Sequence, residues 1–241
     1  MPISAILRPL ALVILYILLG FPAALICIPI VLLTRDISLM YRWGMGIARL
    51  GVRVVGLRPV ITGMEHIDRK SQYLFFSNHL SNLDPILLLP IIPVRIAVFI
   101  KRPLMKIPIL GYCMRVARFI PVDRRGDVEA ARASVQTALE VLHSGISVAS
   151  FVEGTRSPDG HMLPFKKGPF YLAMEAQAPI IPVSIYGTEA MMRKGSLAIR
   201  PGTAHITFHK PILPAHYPDR EALMEAVRDA IASGLPQWMR D

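Results

Sequence analysis

The feature that most constrains the fold is an uncharged apolar segment near the N-terminus. Residues 10–33 contain no charged side chain and consist of Leu, Ile, Val, Ala, Pro, Gly, Phe, Tyr and Cys. About 20 apolar residues are enough to cross the hydrocarbon core of a bilayer. A buried helix of a soluble domain rarely extends this far without a polar face. The segment therefore predicts a membrane-embedded helical element, and the lack of a small-residue cleavage site argues against a cleaved signal peptide.

The middle of this apolar segment carries residues that disturb helices. Gly20-Phe21-Pro22 lies at its centre and Pro29 lies further along, and each proline removes a backbone N–H donor and favours a kink. Two arrangements follow from this pattern. One is a single kinked span, and the other is a helical hairpin that folds back at Gly20 to Pro22 within one leaflet of the bilayer.

The residues that follow the segment indicate its orientation. Basic residues are more numerous after the segment than before it, which places the following domain on the cytoplasmic face of the cell's inner (plasma) membrane. Residues 36–50 combine Tyr41 and Trp43 with scattered arginines, which predicts either an interfacial amphipathic helix or an ordinary packing helix. Residues 1–50 are thus predicted to form a membrane anchor with an interfacial helix, and residues 51–241 a separate folded domain.

The charge of the chain agrees with a membrane location. The 241 residues carry a formal net charge of +10, while 53% of them are hydrophobic. A basic and apolar chain suits an anionic membrane surface, whereas a nucleic-acid-binding protein would be expected to show interleaved aromatic residues or a recognisable module. The two cysteines, Cys27 and Cys113, lack the spacing of metal ligands. We therefore expect a bilayer as a partner, and neither a nucleic acid nor a bound metal.

From residue 51 onward, short apolar runs alternate with helical patterns. The predicted strands are residues 52–61, 73–76, 96–100, 119–122, 147–151, 180–185 and 205–208, and the predicted helices are residues 85–89, 128–142, 169–177 and 220–235. Continuous apolar strands alternating with helices are typical of a sheet that helices cover on both faces. The fold class predicted for this region is α/β, a single domain with a mostly parallel central sheet flanked by helices.

Several of the predicted strands end in a polar or charged cluster. These clusters are Asn78-His79, Lys101-Arg102, Asp123-Arg124 and the tetrapeptide Glu153-Gly154-Thr155-Arg156. In α/β sheets, binding sites form beyond the carboxyl ends of the strands. We therefore expect these clusters to converge on one pocket.

His79 and Asp84 are the sharpest candidates for catalysis. Asp84-Pro85 precedes an apolar run and predicts a helix start, with Asp84 as the N-cap and Pro85 in the first helical position. The turn between them would bring the imidazole back to the carboxylate, which would fix its tautomer as in nucleophile-activating triads. The alternative is that Asp84 is only a helix cap. Since no Ser or Cys lies in a nucleophile-elbow context, the base would act directly on a substrate hydroxyl.

The tetrapeptide from Glu153 to Arg156 predicts an anion site. A tight glycine turn exposes backbone N–H groups, and a guanidinium is a planar partner for phosphate or carboxylate. The alternative is a charged turn of no special role. Lys101 and Arg124, which also follow predicted strands, add two further candidate cations.

Taken together, these motifs resemble those of the glycerophospholipid acyltransferase family. The matching blocks are Asn78-His79 with Asp84, Phe119-Ile120 through Arg124, Phe151 to Arg156 with Val152 in place of the family's proline, and Ile181-Pro182-Val183. Their order and spacing hold from about residue 52 to residue 186. The resemblance implies that residues 51–241 form an acyltransferase domain and that no cofactor is required.

The resemblance also implies a reaction. His79, oriented by Asp84, would deprotonate the sn-2 hydroxyl of lysophosphatidic acid, which would attack the thioester of acyl-CoA or acyl carrier protein. Lys101, Arg124, Glu153, Gly154, Thr155 and Arg156 would bind the acceptor. The product would be phosphatidic acid for phospholipid biosynthesis. The alternatives are the same chemistry on another lysophospholipid or a lyso-ornithine lipid, and a non-enzymatic membrane lipid-binding protein.

Overall fold

The computed structural model describes residues 3–122 and 128–240. Within these ranges seven strands form one sheet, with helices on both of its faces. The strands are β1 Leu57–Thr62, β2 Leu74–Ser77, β3 Ile96–Lys101, β4 Ile120–Val122, β5 Ser147–Phe151, β6 Ile180–Tyr186 and β7 Gly202–Phe208. The helices are α1 Ile3–Leu15, α2 Phe21–Thr34, α3 Ser38–Val54, α4 Leu83–Leu88, α5 Leu110–Val116, α6 Val128–His143, α7 Lys167–Ala176, α8 Thr188–Met191 and α9 Arg220–Ser233.

The sheet is mostly parallel, as the sequence predicts. Its strand order is β1-β7-β6-β2-β5-β3-β4, and the five strands from β6 to β4 run in the same direction. β7 is antiparallel to β6, and β1 is parallel to β7. Ser77 at the end of β2 is in register with both Phe151 of β5 and Val183 of β6. The loops that follow these three strands therefore leave the sheet side by side.

The core lies on both faces of this sheet because successive side chains of each strand point in opposite directions. Phe75 packs on one face with α3 and α4, whereas Leu74 and Phe76 pack on the other with α6, α7 and α9. These three side chains are fully buried. Removing such a side chain from water contributes roughly 1.5–3 kcal/mol. The sheet edge on which the strand-end clusters lie is thus held by packing on both sides.

The apolar N-terminal segment forms one long helix. α1 and α2 are joined by a π turn, Tyr16–Gly20, and the backbone remains right-handed at Gly20 and Phe21. Pro22 lacks the N–H that would bond to the carbonyl of residue 18, and the wider turn before it accommodates its ring. A fold back at Gly20 to Pro22, one of the two predicted arrangements, is therefore not observed.

The chain instead reverses at Arg35, whose backbone is left-handed with φ of 57°, and α3 returns along the long helix. α3 approaches the long helix closely at Gly51. A Cβ atom there would lie 2.8 Å from Leu12 Cδ1 and 2.9 Å from the Tyr16 hydroxyl oxygen. Residues 52–54, predicted as the start of a strand, are the last turn of α3. Their valines extend the apolar face of the helix.

Both ends of the long helix contact the α/β domain. The carbonyl of Ala5 accepts a hydrogen bond of 2.9 Å from the Ile199 N–H, next to the start of β7. At the other end Cys27 and Val31 pack with Cys113 and Val116 of α5. Among the described residues, one helix, Ala5–Thr34, is long and apolar enough to cross a membrane. It lies across the domain, and its outer face exposes large apolar side chains such as Leu18, Leu25 and Leu33.

Candidate active site

The loop after β2 is fixed to the sheet by Asn78. The side-chain amide of this buried residue donates a 2.8 Å hydrogen bond to the Ile185 carbonyl. Its amide oxygen accepts a 2.8 Å hydrogen bond from the Ile185 N–H. This pair continues the pairing of β2 with β6 by one residue beyond the strand. The residue that follows, His79, therefore begins from a rigid position.

His79 and Asp84 are in direct contact, as the spacing predicts. Nδ1 of His79 lies 2.8 Å from Oδ2 of Asp84, and the same oxygen accepts the N–H groups of Leu80 and Ser81 at 2.7 and 2.8 Å. The other oxygen of Asp84 accepts a 2.6 Å hydrogen bond from the Thr188 hydroxyl. Four donors thus hold a fully buried carboxylate. This arrangement makes Nδ1 the donor and leaves Nε2 as the basic nitrogen.

The predicted helix cap is wrong in detail. α4 begins at Leu83, so Asp84 lies within its first turn instead of preceding it. The carboxylate caps the turn made by Leu80 and Ser81, and the imidazole of His79 completes its bonding. The alternative that Asp84 is only a helix cap is therefore not supported.

The His79 ring is positioned by stacking. It lies against the ring of Phe151, with centroids 4.2 Å apart and planes inclined by 24°. Its side chain is 12% exposed, so one edge reaches solvent. Ser77 and Ser81, the nearest serines along the chain, donate to main-chain carbonyls of Asn78 and Met192. In the described part of the chain, no serine or cysteine hydroxyl or thiol bonds to the imidazole, so Nε2 is available to a substrate.

Glu153 contacts the loop that follows β2 and carries His79. One of its oxygens, Oε1, accepts a 3.2 Å hydrogen bond from the His79 N–H, and the side chain is buried. Burial raises the pKa of this carboxyl to about 8. A buried, largely neutral carboxyl that bonds the main chain of the base positions that base. The contact of Glu153 with the acceptor stays a prediction.

Gly154 and Arg156 form the turn next to this loop. Gly154 has a φ of 70°, and a Cβ there would lie 2.9 Å from the side chain of Lys166. The turn is hydrogen-bonded to the loop that carries His79, because the Ser157 N–H donates to the His79 carbonyl at 2.8 Å. Nη1 of Arg156 is buried and has no hydrogen-bond partner among the described residues. Thr155 is exposed on the turn. A buried guanidinium nitrogen without a partner is suited to an anionic ligand.

Other cations stand at the same edge of the sheet. Lys101 is exposed at the end of β3, the neighbour of β5. Lys194, which the sequence reasoning missed, donates from Nζ to the Arg156 carbonyl at 2.8 Å. Arg124 lies outside the described residues. The expected convergence of strand-end clusters is confirmed for the loops after β2 and β5, where His79 meets Glu153.

The raised pKa of Glu153 predicts a pH-dependent stability. The unfolded chain ionises this carboxyl near its ordinary pKa of 4.5, whereas the folded chain keeps the proton until about pH 8. The folded state then binds more protons between these values, so stability falls as pH rises through this window, by at most about 1.4 kcal/mol per pH unit. Relative to wild type, Glu153→Gln is expected to lose this decline, as measured by denaturant unfolding from pH 4.5 to 8.

The matched control is Glu175→Gln, which changes an exposed carboxylate on α7. Its stability should follow the wild-type pH profile. An equal pH dependence in wild type and Glu153→Gln would contradict the neutral state assigned to Glu153.

The fold and the site define an α/β protein in which a bonded His–Asp pair lies at the carboxyl end of a parallel strand and leaves one imidazole nitrogen available. The comparison with protein families agrees, since the Acyltransferase model matches residues 58–186. The chain belongs to the acyltransferase family.

Its relatives carry more specific names. A 1-acyl-sn-glycerol-3-phosphate acyltransferase of Limnanthes douglasii is 31% identical over 170 residues, which are 70% of this chain and 60% of that protein. One of Borreliella burgdorferi is 29% identical over 189 residues, which are 78% and 75% of the two chains. The crystal structure of the 1-acyl-sn-glycerophosphate (LPA) acyltransferase PlsC from Thermotoga maritima superposes with a TM-score of 0.79 at 25% identity, covering 95% of each chain.

Proposed function

We propose that this protein transfers a fatty acyl group from a thioester to the sn-2 hydroxyl of lysophosphatidic acid and so forms phosphatidic acid. The observation that carries the proposal is an available His79 Nε2 together with a buried Arg156 nitrogen that has no hydrogen-bond partner among the described residues, on a turn bonded to the His79 carbonyl. The first group deprotonates an alcohol and the second binds a phosphate. The names of the relatives from Limnanthes and Borreliella support lysophosphatidic acid as the acceptor.

The reaction needs one base and no enzyme-bound intermediate. Nε2 of His79 takes the proton of the acceptor hydroxyl as its oxygen bonds to the thioester carbonyl carbon. The tetrahedral oxyanion then collapses, the C–S bond breaks, and the thiolate of CoA or of acyl carrier protein recovers the proton from the imidazolium. Asp84 keeps the ring in place and stabilises its positive charge throughout, because the four donors around it allow the carboxylate no other position.

The acceptor phosphate is assigned to Arg156, with Lys101 and Arg124 as further cations and with backbone N–H groups of Gly154 and Thr155. The link from Ser157 N–H to the His79 carbonyl sets the distance between anion and base. A phosphate held on this turn would place the hydroxyl of the same molecule near Nε2. Positioning of this kind supplies a large part of the rate advantage.

An acceptor panel tests this assignment. Purified protein in detergent should transfer a labelled acyl group from acyl-CoA or acyl carrier protein to lysophosphatidic acid faster than to monoacylglycerol, which lacks the phosphate. Arg156→Ala is expected to raise the KM for lysophosphatidic acid at least about tenfold, the scale of a lost charged hydrogen bond. Its rate with monoacylglycerol should change little, and Arg132→Ala, at an exposed site on α6, should behave as wild type.

The outcomes separate the alternatives. A lyso-ornithine lipid carries a carboxylate where lysophosphatidic acid carries a phosphate. Preferred transfer to this lipid would assign the same chemistry to another acceptor. Binding of lysolipids without any transfer would favour the non-enzymatic lipid-binding protein. An unchanged KM in Arg156→Ala would remove the proposed role of this residue.

We also propose that the long helix lies in one leaflet, on the cytoplasmic face of the inner membrane. A helix of 30 residues is about 45 Å long. If it crossed the bilayer, its two ends would lie on opposite sides, but Ala5 and Val31 both contact the same α/β domain. The apolar outer face of the helix suits the acyl-chain region, and Trp43 on α3 is partly exposed near it, as in interfacial helices.

Cysteine labelling distinguishes the two orientations. Single cysteines at Arg8 and Thr34, in a background with Cys27→Ala and Cys113→Ala, flank the apolar segment. In inverted inner-membrane vesicles, a membrane-impermeant thiol reagent should label both positions from outside. Labelling of one position only, with the other reached after lysis, would show that the helix crosses the membrane.

A further inference from the structure

A cavity with basic walls lies at the opposite end of the parallel strands from His79. It has a volume of about 530 Å³, and its lining includes Arg35, Asp36, Arg95 and Arg118. Arg35 follows α2, Arg118 follows α5, and Arg95 precedes β3. The cavity is thus at the amino ends of the parallel strands, about 15–20 Å from the catalytic edge for strands of this length.

The positive charges of this cavity exceed the negative charges that line it. Among the described residues, none of the three guanidinium groups makes a side-chain hydrogen bond or a salt bridge. Asp36 is bonded to Ser38 instead, through its N–H at 2.8 Å and its hydroxyl at 2.6 Å, and these bonds lower the pKa of Asp36. Three arginines and one carboxylate, which is already hydrogen-bonded to Ser38, leave an excess of positive charge around the cavity. Such an excess is suited to an anion.

The dipoles of the adjoining helices do not account for this arrangement. Cations near helix C-termini are favourable, and α2 and α5 both end here. However, Arg35 and Arg118 occupy left-handed positions after these helices, with φ of 57° and 64°, where glycine is the usual residue. Neither guanidinium bonds to a carbonyl of the last helical turn within the described contacts. The ends of α2 and α5 therefore place the side chains of Arg35 and Arg118 at the cavity without forming hydrogen bonds to their guanidinium groups.

Most of the remaining lining residues are apolar, and two of them belong to the long helix. Val31 and Leu32 line it, and Leu32 and Leu33 are 64% and 85% exposed. The same outer face continues through Leu25. A ligand of matching chemistry has a phosphate next to hydrocarbon chains.

We propose that this cavity binds the phosphate group of an anionic phospholipid, with its acyl chains along the outer face of α2. The inference rests on the proposed membrane attachment of the long helix, but not on the acyl-transfer reaction. The three arginines would take the phosphate, and the exposed leucines would take the first part of the chains. The site would fasten the C-terminal end of the long helix to a lipid of the cytoplasmic leaflet.

Thermal unfolding with monomeric short-chain lipids tests the proposal. The full chain in neutral detergent should be stabilised by dihexanoyl phosphatidylglycerol, with a rise in Tm that dihexanoyl phosphatidylcholine does not produce. The triple variant Arg35→Gly, Arg95→Gln, Arg118→Gly should lose this rise. Glycine fits both left-handed positions, so the variant is expected to fold. The control Arg69→Gln, Lys70→Gln, Lys210→Gln removes equal charge from exposed loops and should keep the rise.

Two outcomes of the Tm measurements would contradict the proposed lipid site. A rise in Tm that survives in the triple variant would place the lipid elsewhere and overturn the site. An equal rise with inorganic phosphate alone would overturn the lipid assignment. The triple variant should keep wild-type acyl transfer in neutral detergent, so a protein without transferase activity would still report on this cavity through its Tm.

Discussion

The variant His79→Ala is expected to lose at least about 10²-fold in kcat for acyl transfer, the lower end of what a positioned general base contributes. The reason is geometric. Nε2 is the ring nitrogen left available by the contact of Nδ1 with Asp84. KM for lysophosphatidic acid should change little, because the phosphate is assigned to the neighbouring turn. The measurement is initial rates with labelled acyl donor over a range of acceptor concentrations.

The control for this loss is His143→Ala. His143 is exposed at the end of α6, and its removal should leave kcat at the wild-type value. The Tm of His79→Ala should fall, since its side chain is only 12% exposed and its removal takes one of four donors from the buried Asp84 carboxylate. Rates are therefore compared at a temperature at which the variant is folded. Wild-type turnover in His79→Ala would refute the assignment of the base.

The second large effect is expected for Asp84→Asn, a loss of about 10³–10⁴-fold in kcat, the scale seen when a triad carboxylate becomes an amide. One oxygen of Asp84 faces three N–H donors and the other faces the Thr188 hydroxyl. An amide whose oxygen keeps the three N–H donors turns its N–H₂ towards the Thr188 hydroxyl, which can accept, but it no longer carries the negative charge that stabilises the imidazolium. An amide turned the other way directs its N–H₂ at the three donors, which releases the imidazole or holds it in the wrong tautomer and costs about 1–3 kcal/mol for each buried unmatched group.

Two companion variants separate catalysis from folding. Thr188→Val removes one donor from the carboxylate and should lower kcat by roughly tenfold, the scale of one neutral hydrogen bond. Asp219→Asn alters the exposed N-cap of α9, where Oδ1 accepts the Ala222 N–H at 2.8 Å, and should affect stability alone. In the double variant His79→Ala, Asp84→Asn the losses should not add, because the two residues act as one unit. Additive losses would show that Asp84 acts independently of His79.

Local sequence pattern was enough to predict the membrane-type segment, the α/β class and the His79–Asp84 pair. These features depend on hydropathy, on alternation and on a spacing of five residues, all of which are visible along the chain. The site at the carboxyl ends of β2 and β5 followed from a general property of parallel sheets. The strand order that makes these two strands neighbours is fixed by packing over the whole domain.

The contacts that the sequence did not predict join residues that are far apart along the chain. The hydroxyl of Thr188 reaches Asp84 from 104 positions away, and Lys194 reaches Arg156 from 38 positions away. Neither pairing leaves a signal in a local window. The raised pKa of Glu153 was not predicted either, because burial decides whether a carboxyl is charged and burial was not known from the motif. The long helix continues through Pro22 because a π turn absorbs the proline, an accommodation that propensity does not predict.

The access of His79 to solvent without a neighbouring enzyme nucleophile also sets the kinetic order of the reaction. In the proposed reaction His79 takes only a proton, and in the described part of the chain no serine or cysteine bonds to its imidazole. We therefore expect donor and acceptor to occupy the protein together in a ternary complex, and we do not expect ping-pong kinetics. Double-reciprocal plots of rate against donor concentration, at several acceptor concentrations, would then intersect instead of running parallel. The donor thioester would stay intact until an acceptor alcohol binds.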